Sequence, residues 1–489
     1  MSSSVVELLY HHSKAFKDKP AFIINDEVVS YKTLFSSIVH FKDVLKNKGI
    51  KKGDYVIVRA CHSVGYWVSL LSLCLLEAIS IPLEKDVKDE TIVEINEKVK
   101  GVKLIISSKE EKAIDAMHIY IDDIIIQDYE FDESTLKFAK KDSIESILFT
   151  TGTTGKSKGV VHRNTFFLDN SLNLEYLPYD KDTLMLLSTP PNHVFAIGRV
   201  SAVLVNRGTV VYVNGLSNLL DFYNALERYK VNSLALTPSL LNYVITFTEE
   251  ELLKYQNQLR YIELGGEKLS YARQMEYIKL FPNTRLFTTY ASTETGIVTA
   301  YEFSKYGPSD NRVGPYIGYP IITFLDENDK VFRATKDNPG LMLVDAHYIM
   351  YYYFEDPIET AKVKRGSAVL MSDLGYIDED NFICLTGRKG DVIMSGGFKI
   401  NPNEVENIAL LSGLVKECVC VGREDPILGK LLVLLVVVEE DINLNDLKKF
   451  IVSKLEGYKV PKEIKIVDSI KKTNNGKIDR KYYRNNLEV

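Results

Sequence analysis

Residues 150–159 read TTGTTGKSKG, directly after the apolar run SILF at 146–149. Glycines let the backbone approach a ligand closely, and successive N–H groups together with threonine hydroxyls can bind phosphate oxygens. The tail Gly155-Lys156-Ser157 is typical of a Walker A loop, but that motif requires a glycine where this chain has Thr150. The stretch therefore favours a phosphate loop of another kind. The alternative is a Thr/Gly surface loop that binds nothing.

The composition is typical of a soluble globular protein of several lobes. The chain has 489 residues, of which 45% are hydrophobic and 26% charged, and its net charge is −6. Lysines alternate with acidic residues instead of forming a basic block, which argues against nucleic-acid binding. Neither a signal peptide nor an apolar run long enough to span a bilayer is visible, so we expect a cytoplasmic location. The five cysteines lack a metal-ligand spacing and are expected to be free thiols.

Strand and helix patterns alternate over most of the chain, as in GDYVIVRA, GYWVSLLSLCLLEA and ISIPL. This rhythm predicts a layered α/β fold with mostly parallel sheets. From residue 315 the pattern changes, and IGYPIITFLDENDKVFRAT and GLMLVDAHYIMYYYF predict antiparallel strands. A compact α+β segment follows. We place the boundary after Arg388, which gives a large N-terminal domain over 1–388 and a small C-terminal domain over 389–489.

Five further motifs follow the loop in order along the chain. They are LGGEKLS (264–270), TTYASTETG (288–296), MSDLGY (371–376), TGRKGDVIMSGGFKINPNEVE (386–406) and KKTNNGKIDRKYYR (471–484). Together with the loop, they make the chain resemble the acyl-adenylate-forming superfamily of acyl- and aryl-CoA synthetases, firefly luciferase and peptide-synthetase adenylation domains. The resemblance runs from residue 15 to residue 482. It implies that the antiparallel strands form a distorted β-barrel in the N-terminal domain and that the C-terminal domain is mobile.

The resemblance implies that TTGTTGKSKG grips ATP. Hydroxyl and backbone N–H groups of the loop would bind the phosphates, with Thr153 among the catalytic residues. Lys158 would tie the loop down or meet the leaving pyrophosphate. Ser157 stands where relatives have proline. The other expected loop contacts are Thr150, Thr151, Gly152, Thr154 and Gly155.

The segment TTYASTETG resembles the motif that holds adenine, the α-phosphate and Mg²⁺. Tyr290 would stack on adenine, Thr293 would bind the α-phosphate and Glu294 would hold Mg²⁺, since a hard cation prefers carboxylate oxygen. By itself STET is also a capping box, so a plain helix start is the alternative. The remaining residues expected at the nucleotide are Gly266, Glu267, Lys268, Ala291 and Ser292.

The later motifs resemble the ribose, hinge and thiol-binding segments. Asp373 would take the ribose hydroxyls and Arg388 would reach the ribose or a phosphate, although Asp-Leu-Gly also fits a plain turn. Gly390 stands at the hinge position, where glycine absorbs a backbone rotation cheaply. Gly396 and Gly397 would lie beside the pantetheine arm of the acceptor.

Lys477, in TNNGKIDR, matches the catalytic lysine of the superfamily. An ammonium placed beside the α-phosphate stabilises the charge that builds up when a carboxylate attacks the phosphorus. Without the other motifs, Lys477 reads as one solvated lysine among many. With them, the resemblance implies two half-reactions, acyl-AMP formation and thioester formation, with the C-terminal domain rotating between them.

His193, in TPPNHVFAIG, matches a gate at the acid pocket. Relatives that activate amino acids have an aspartate at this position for the substrate ammonium group, and this chain has none there. The substrate is therefore expected to be an acyl or aryl acid without an α-amino group, although a satisfied core histidine is the alternative for His193. The expected pocket neighbours are Phe195, Ile197, Gly198, Leu264 and Thr289.

The acceptor and the activity leave alternatives open. Coenzyme A is expected, because no carrier domain follows the last motif, but the phosphopantetheine of a separate carrier protein has the same thiol arm. A catalytically inactive homologue that only binds nucleotide is the alternative from another class. Five departures from the superfamily pattern motivate it: Ser157, Leu341, Met371, Ser372 and Met394.

Overall fold

The computed structural model describes residues 2–150, 158–174, 176–216, 218–438, 442–472 and 478–486, without the side chains of residues 399, 481, 484 and 485. Helices alternate with strands through most of this range, as the sequence predicts. The α-helices are α1 (Val5–Ala15), α2 (Tyr31–Asn47), α3 (Val64–Leu76), α4 (Asp89–Lys98), α5 (Asn164–Leu172), α6 (Val194–Val205), α7 (Leu219–Tyr229), α8 (Pro238–Leu253), α9 (Tyr271–Leu280), α10 (Phe303–Tyr306), α11 (Pro357–Val363), α12 (Pro402–Leu411), α13 (Leu444–Lys454) and α14 (Arg480–Asn485).

The strands of the first half of the chain are short, and most are followed by a helix. They are β1 (Pro20–Ile24), β2 (Glu27–Ser30), β3 (Tyr55–Arg59), β4 (Ile79–Leu83), β5 (Leu104–Ser107), β6 (Met117–Tyr120), β7 (Ile144–Thr150), β8 (Lys158–Arg163), β9 (Leu184–Leu187), β10 (Thr209–Tyr212), β11 (Ser233–Leu236) and β12 (Tyr261–Gly265).

The strands of the second half include longer antiparallel pairs. They are β13 (Arg285–Ser292), β14 (Gly296–Glu302), β15 (Arg312–Pro315), β16 (Ile321–Leu325), β17 (Gly340–Asp345), β18 (Lys364–Arg365), β19 (Ala368–Ile377), β20 (Phe382–Arg388), β21 (Ile393–Ser395), β22 (Phe398–Ile400), β23 (Glu417–Asp425), β24 (Gly429–Val437) and β25 (Glu463–Ile466).

The chain divides into two compact units. The first comprises Met1–Gly266, Asn283–Ala300 and Asp345–Val369. Its two large sheets run in the orders β14-β13-β12-β11-β9-β10-β1-β2 and β6-β5-β3-β4-β7-β8. Most neighbours in these sheets are parallel, as the βαβ rhythm predicts, because a helix connects successive strands. The predicted buried helix GYWVSLLSLCLL is α3, whose Tyr66 and Trp67 belong to the largest core cluster.

The second unit comprises Glu267–Pro282, Tyr301–Val344 and Leu370–Val489. Its antiparallel strands follow the order β15-β20-β19-β17-β16. The described strands form this open path, so the closed form of the expected barrel is absent from the described chain. Near the C-terminus, β23, β24 and β25 form a small sheet that α12 and α13 cover around Leu447 and Ile451. This is the predicted α+β segment, whereas the boundary after Arg388 stays a prediction.

One predicted strand is wrong over half of its length. GLMLVDAHYIMYYYF forms a strand only over Gly340–Asp345, and the aromatic residues that follow belong to the first unit. The backbone of these residues makes hydrogen bonds to β8 instead. Among the described helices, none is both long enough and apolar enough to cross a membrane.

Candidate active site

Thr150 and Lys158 close the hairpin of β7 and β8. They are the last pair of the ladder, and the Thr150 hydroxyl lies 3.5 Å from the Lys158 carbonyl oxygen. Gly159 is required next to this pair, because a Cβ there would lie 2.9 Å from Ile147 and 3.2 Å from Phe149. The segment 151–157 lies outside the described residues. The roles expected for Thr151, Gly152, Thr153, Thr154 and Gly155 therefore stay predictions.

The aromatic segment after β17 lies along β8. The N–H of Tyr351 donates to the carbonyl oxygen of Val161 (2.8 Å), and the N–H of Phe354 donates to that of Gly159 (2.7 Å). These bonds satisfy backbone groups that β8 would otherwise expose. They also fix Tyr353 next to the base of the β7–β8 hairpin, where Tyr353 forms an isolated bridge with Val160.

Lys158 is held by a carboxylate and an aromatic ring. Its Nζ lies 2.6 Å from Oε2 of Glu359 and 5.0 Å from the centre of the Tyr353 ring. Asp356 caps α11 and bonds to the N–H of Glu359, which fixes that residue in the first helical turn. The bond from Lys158 is the first cause that lowers the pKa of Glu359. Lys158 is thus held by Glu359 at the base of the loop, and both roles expected for it stay predictions.

The TTYASTETG segment is a strand, a tight turn and a second strand. β13 ends at Ser292, whose Oγ accepts bonds from the N–H groups of Glu294 and Thr295 (both 3.1 Å). β14 then begins at Gly296 with φ +65°, where a Cβ would lie 2.9 Å from Asn170. The helix-start alternative for STET is therefore wrong. Ser292 closes a turn between strands, which presents the side chains of the turn at the sheet edge.

Two buried contacts fix the backbone of this turn. Nε2 of His162 lies 2.7 Å from the carbonyl oxygen of Thr293, and the N–H of Met350 donates to that of Glu294 (2.7 Å). Burial lowers the pKa of His162 to about 4, so its imidazole is neutral at pH 7. A neutral ring that faces a carbonyl oxygen must carry its proton on that nitrogen, so His162 donates from Nε2.

The Glu294 carboxylate accepts a bond from the Tyr353 hydroxyl (2.7 Å). Burial, and then the Glu294 charge, raise the pKa of Tyr353, so the phenol stays a donor. Within the described chain, no group of three or more Asp, Glu, His or Cys side chains could hold a metal. Mg²⁺ at nucleotides is usually held by one or two carboxylates together with phosphates, and a single oriented Glu294 fits that pattern.

The residues expected around adenine meet at the ends of β12 and β13. Gly265 pairs with Thr289 in register, so the chain leaves β12 at Gly266 next to Tyr290. Gly266 is exposed with φ +86°, a conformation that favours glycine. Tyr290 is half-buried and Ala291 exposed, which leaves part of the ring surface accessible for stacking.

His193 is the residue that precedes α6. It is half-buried, and its carbonyl oxygen accepts the first bond of the helix from the N–H of Ile197 (3.0 Å). Its partial burial leaves both the gate role and the satisfied core histidine as predictions. Phe195, two residues further on, lies against Gly265, since a Cβ there would be 2.4 Å from the ring. Among the other expected pocket neighbours, Ile197 and Leu264 are buried.

In the second unit, Asp373 and Arg388 face each other on neighbouring strands. They pair in register on β19 and β20, and Nε of Arg388 lies 3.2 Å from Oδ1 of Asp373. Asp373 is buried within β19, so the plain-turn alternative is wrong. The register shifts between Leu374 and Gly375, and such a bulge re-aims neighbouring side chains. The Asp373 carboxylate is therefore held against Arg388 despite the change at Met371 and Ser372.

Gly390 lies in an exposed turn between β20 and β21, where the N–H of Asp391 donates to the Arg388 carbonyl oxygen (3.0 Å). Gly396 and Gly397 form the turn between β21 and β22 with positive φ. Their roles at a hinge and beside a thiol stay predictions. Of the other expected nucleotide contacts in this unit, Glu267 is half-buried and Lys268 exposed.

Lys477 lies outside the described residues, but Arg480, three residues further on, is firmly anchored. Arg480 makes two bonds to the Glu406 carboxylate (2.6 and 2.8 Å) and one to Asn403 (2.8 Å). Nε of Arg480 lies 3.7 Å from Asp391. The expected catalytic lysine is therefore three residues from a guanidinium that binds α12.

Sequence reasoning missed the residues that hold this site together. Tyr353 and Glu359 orient Glu294 and Lys158, and His162 fixes the Thr293 carbonyl. The run YYYF and the cap Asp356-Pro357 were visible signals, although neither indicates which side chain faces the site. For His162 the sequence carries no signal, because its partner is 131 residues away.

Comparison with known proteins agrees with this geometry. The AMP-binding enzyme family matches residues 9–354, and its C-terminal domain family matches 404–477. A 2-succinylbenzoate–CoA ligase of Geobacillus sp. (strain WCH70) is 24% identical, over 92% of this chain and 91% of its own length.

Two solved proteins share the fold. The o-succinylbenzoate CoA synthetase of Bacillus subtilis has been solved with its acyl-adenylate intermediate OSB-AMP (TM-score 0.81, 21% identity, 99% and 98% of the two chains) and with ATP and magnesium ion (TM-score 0.82, 21%, 98% and 99%). ATP-bound MatB of Rhodopseudomonas palustris has a TM-score of 0.88 at 20% identity and covers both chains fully. The expected resemblance is confirmed, and the chain belongs to the AMP-binding enzyme family.

Proposed function

We propose that the protein is an ATP-dependent ligase that joins an acyl or aryl carboxylic acid to coenzyme A through an acyl-AMP intermediate. The turn that displays Thr293 and Glu294 carries this proposal. Its backbone is fixed by His162 and Met350, and its carboxylate is oriented by Tyr353. Such a pre-oriented carboxylate suits a nucleotide-bound Mg²⁺. The CoA ligase named among the relatives supports the same reaction.

In the first half-reaction, a carboxylate oxygen attacks the α-phosphorus of ATP. The P–O bond to the β-phosphate breaks, and pyrophosphate leaves with the electron pair. Thr293 would bind the α-phosphate, and Lys477 would stabilise the charge on its oxygens. Asp373 and Arg388 would hold the ribose.

In the second half-reaction, the thiolate of the acceptor attacks the acyl carbonyl, and AMP leaves. Gly396 and Gly397 would leave room for the pantetheine arm, since their positions carry no side chain and have positive φ. Gly390 is the expected hinge for the rotation between the two steps. The rotation would remove Lys477 from the α-phosphate after the adenylate has formed.

The acid is expected to lack an α-amino group, and His193 at the start of α6 is its gate. No aspartate stands in the segment 189–199 to bind an ammonium group. The named relative is a CoA ligase, which supports coenzyme A as the acceptor. The carrier-protein alternative is distinguished by assay. The cytoplasmic location stays a prediction.

A single assay series tests this proposal. The protein is mixed with ATP, Mg²⁺ and a panel of carboxylic acids, and pyrophosphate, AMP and ADP are measured with and without coenzyme A. We expect acid-dependent pyrophosphate, and AMP turnover that increases with coenzyme A. ADP as the product would contradict adenylation. No acid-dependent pyrophosphate over a broad panel would favour an inactive homologue, and turnover that requires a carrier protein would exclude coenzyme A as acceptor.

A further inference from the structure

The first unit contains a fully buried ion pair directly behind the expected acid pocket. Nη2 of Arg199 lies 2.5 Å from Oε1 of Glu263, and the two side chains are only 3% and 0% exposed. The other carboxylate oxygen accepts a bond from the Tyr179 hydroxyl (2.5 Å). Burial, followed by the Glu263 charge, raises the pKa of Tyr179, so this phenol remains a donor. One oxygen of Glu263 therefore accepts a hydrogen bond from Tyr179, and the other is in ion-pair contact with Arg199.

Arg199 also supports the surface that faces the pocket. Its guanidinium lies 4.4 Å from the centre of the Phe195 ring, one helical turn earlier on α6. Its Nη2 donates to the Thr289 hydroxyl (3.1 Å). A Cβ at Gly265 would lie 2.4 Å from Phe195 and 2.7 Å from Thr289, so these three residues form one continuous patch.

The alternation of residues along β12 explains why the ion pair adjoins this patch. Glu263 and Gly265 are two residues apart on β12, so they point to the same face of the sheet. Thr289 is the register partner of Gly265 on β13. Among the described residues, Glu263 is the only acidic side chain in an ion pair with Arg199.

A buried arginine without a counter-charge would attract an anion strongly, since low polarity strengthens Coulomb interactions. Here that attraction is already satisfied within the protein. A second carboxylate on the substrate would meet a neutral pair and would lose its hydration without compensation. A substrate without a second charge would lose much less hydration free energy on entering the pocket.

We propose that the Arg199–Glu263 pair determines specificity, and that it selects acids whose only ionised group is the reacting carboxylate. This inference rests on the proposed function, since it assigns the Phe195–Gly265–Thr289 patch to the acid pocket. Phe195 and Thr289 touch the substrate in this account, whereas Arg199 and Glu263 act through them.

The test compares matched acids that differ only in one charge. Each benzenedicarboxylic acid (ortho, meta and para) is paired with its mono-amide, and 2-succinylbenzoate is paired with its succinyl amide. Acid-dependent pyrophosphate release gives kcat/KM for both members of each pair. For the unmodified protein we expect the mono-amide to be favoured by at least tenfold for every pair that reacts. Equal or better use of the dicarboxylate would overturn the inference.

Two variants sharpen this test. Glu263→Gln keeps the shape but leaves Arg199 uncompensated, so the preference should shift toward the dicarboxylate by about tenfold or more, mainly through KM. The double variant R199Q/E263Q removes both charges and should restore the preference for the mono-amide. An E263Q variant that folds and keeps the original ratio would overturn the inference.

If E263Q does not fold, the ratio of the unmodified protein still decides. If no acid of either kind releases pyrophosphate, the proposed function fails and the inference fails with it. If dicarboxylates react as well as their amides, only the inference fails.

Discussion

Two segments expected to act on ATP phosphates, 150–158 and 472–480, are anchored in different ways at the residues that the structure describes. At the base of the first, Lys158 makes one bond to Glu359 from a flexible stem. Beside the second, Arg480 makes two parallel bonds to Glu406, a third to Asn403, and approaches Asp391. A lysine behaves as a point charge that can exchange partners, whereas a bidentate arginine is fixed in geometry. We infer that the first anchor can release to phosphate and that the second stays intact.

The largest expected effect is at Lys477, three residues before Arg480. Lys477→Ala should lower acyl-AMP formation about a thousandfold, since it removes the charge next to the α-phosphate. Thioester formation from supplied acyl-AMP should continue at a similar rate. Single-turnover measurements of both half-reactions check this. Equal loss of both rates would contradict the assignment of Lys477 to the first half-reaction only.

Arg480→Ala tests whether the second anchor is permanent. It leaves the Glu406 carboxylate buried with only the Cys420 N–H as an assigned donor in the described chain, so we expect a loss of about 3–5 kcal/mol of stability. The control is Arg423→Ala, which breaks a two-bonded pair with Glu463 that is about one-third exposed and should cost about 0–1 kcal/mol. Urea unfolding of the whole chain measures both. Similar losses would refute the distinction between the two pairs.

The turn that contains Thr293 is anchored by the neutral His162. The free energy of unfolding therefore depends on pH through this histidine. Folding lowers the pKa of His162 from 6.5 to about 4, so the unfolded chain binds more protons between these values. The contribution of His162 is therefore complete above pH 6.5 and is lost as the pH falls toward 4. Its full size is about 3 kcal/mol.

His162→Gln should remove this pH dependence, because glutamine can donate to the Thr293 carbonyl oxygen without titrating. Urea unfolding between pH 7 and pH 4 should show a steeper fall for the unmodified protein than for the variant. The other buried histidines are common to both proteins and cancel in the difference. Parallel curves would show that His162 is not held neutral by the fold.

A smaller effect is expected at the carboxylate of the first region. Tyr353→Phe removes the donor that orients Glu294, so the Mg²⁺ concentration for half-maximal pyrophosphate release should rise about tenfold. Tyr351→Phe is the control, since that side chain is exposed and lies outside the Glu294 contact. An unchanged Mg²⁺ dependence in Tyr353→Phe would show that Tyr353 does not orient Glu294 for Mg²⁺ binding.

The smallest effect is expected at Glu359, the partner of Lys158. Glu359→Gln releases Lys158 at a partly exposed position, so the stability should change by less than about 1 kcal/mol. The KM for ATP should fall or stay unchanged, because Lys158 no longer has to leave a carboxylate. A loss of stability as large as that of Arg480→Ala would show that both anchors are structural.

The sequence predicts this molecule well wherever the signal is local. The alternating strands and helices, the apolar strand before TTGTTGKSKG and the α+β segment near the C-terminus all follow from short patterns. The hairpin of β7 and β8 and the pairing of Asp373 with Arg388 were found only in the structure. The long-range polar contacts were not predictable. Arg199 on α6 and Glu263 on β12 are separated in sequence by two strands, β10 and β11, and neither residue type is expected to be buried. Tyr353 stands in a run that alternates like a strand, yet bonds along β8 instead.

In the proposed reaction the acid becomes an acyl-AMP, and the path of one carboxylate oxygen follows that step. The acid that gives the fastest pyrophosphate release is labelled with ¹⁸O in both carboxylate oxygens and converted with ATP, Mg²⁺ and coenzyme A. Attack on the α-phosphorus should leave one labelled oxygen in AMP, as measured by mass spectrometry. Label in inorganic phosphate with unlabelled nucleotide would contradict the account.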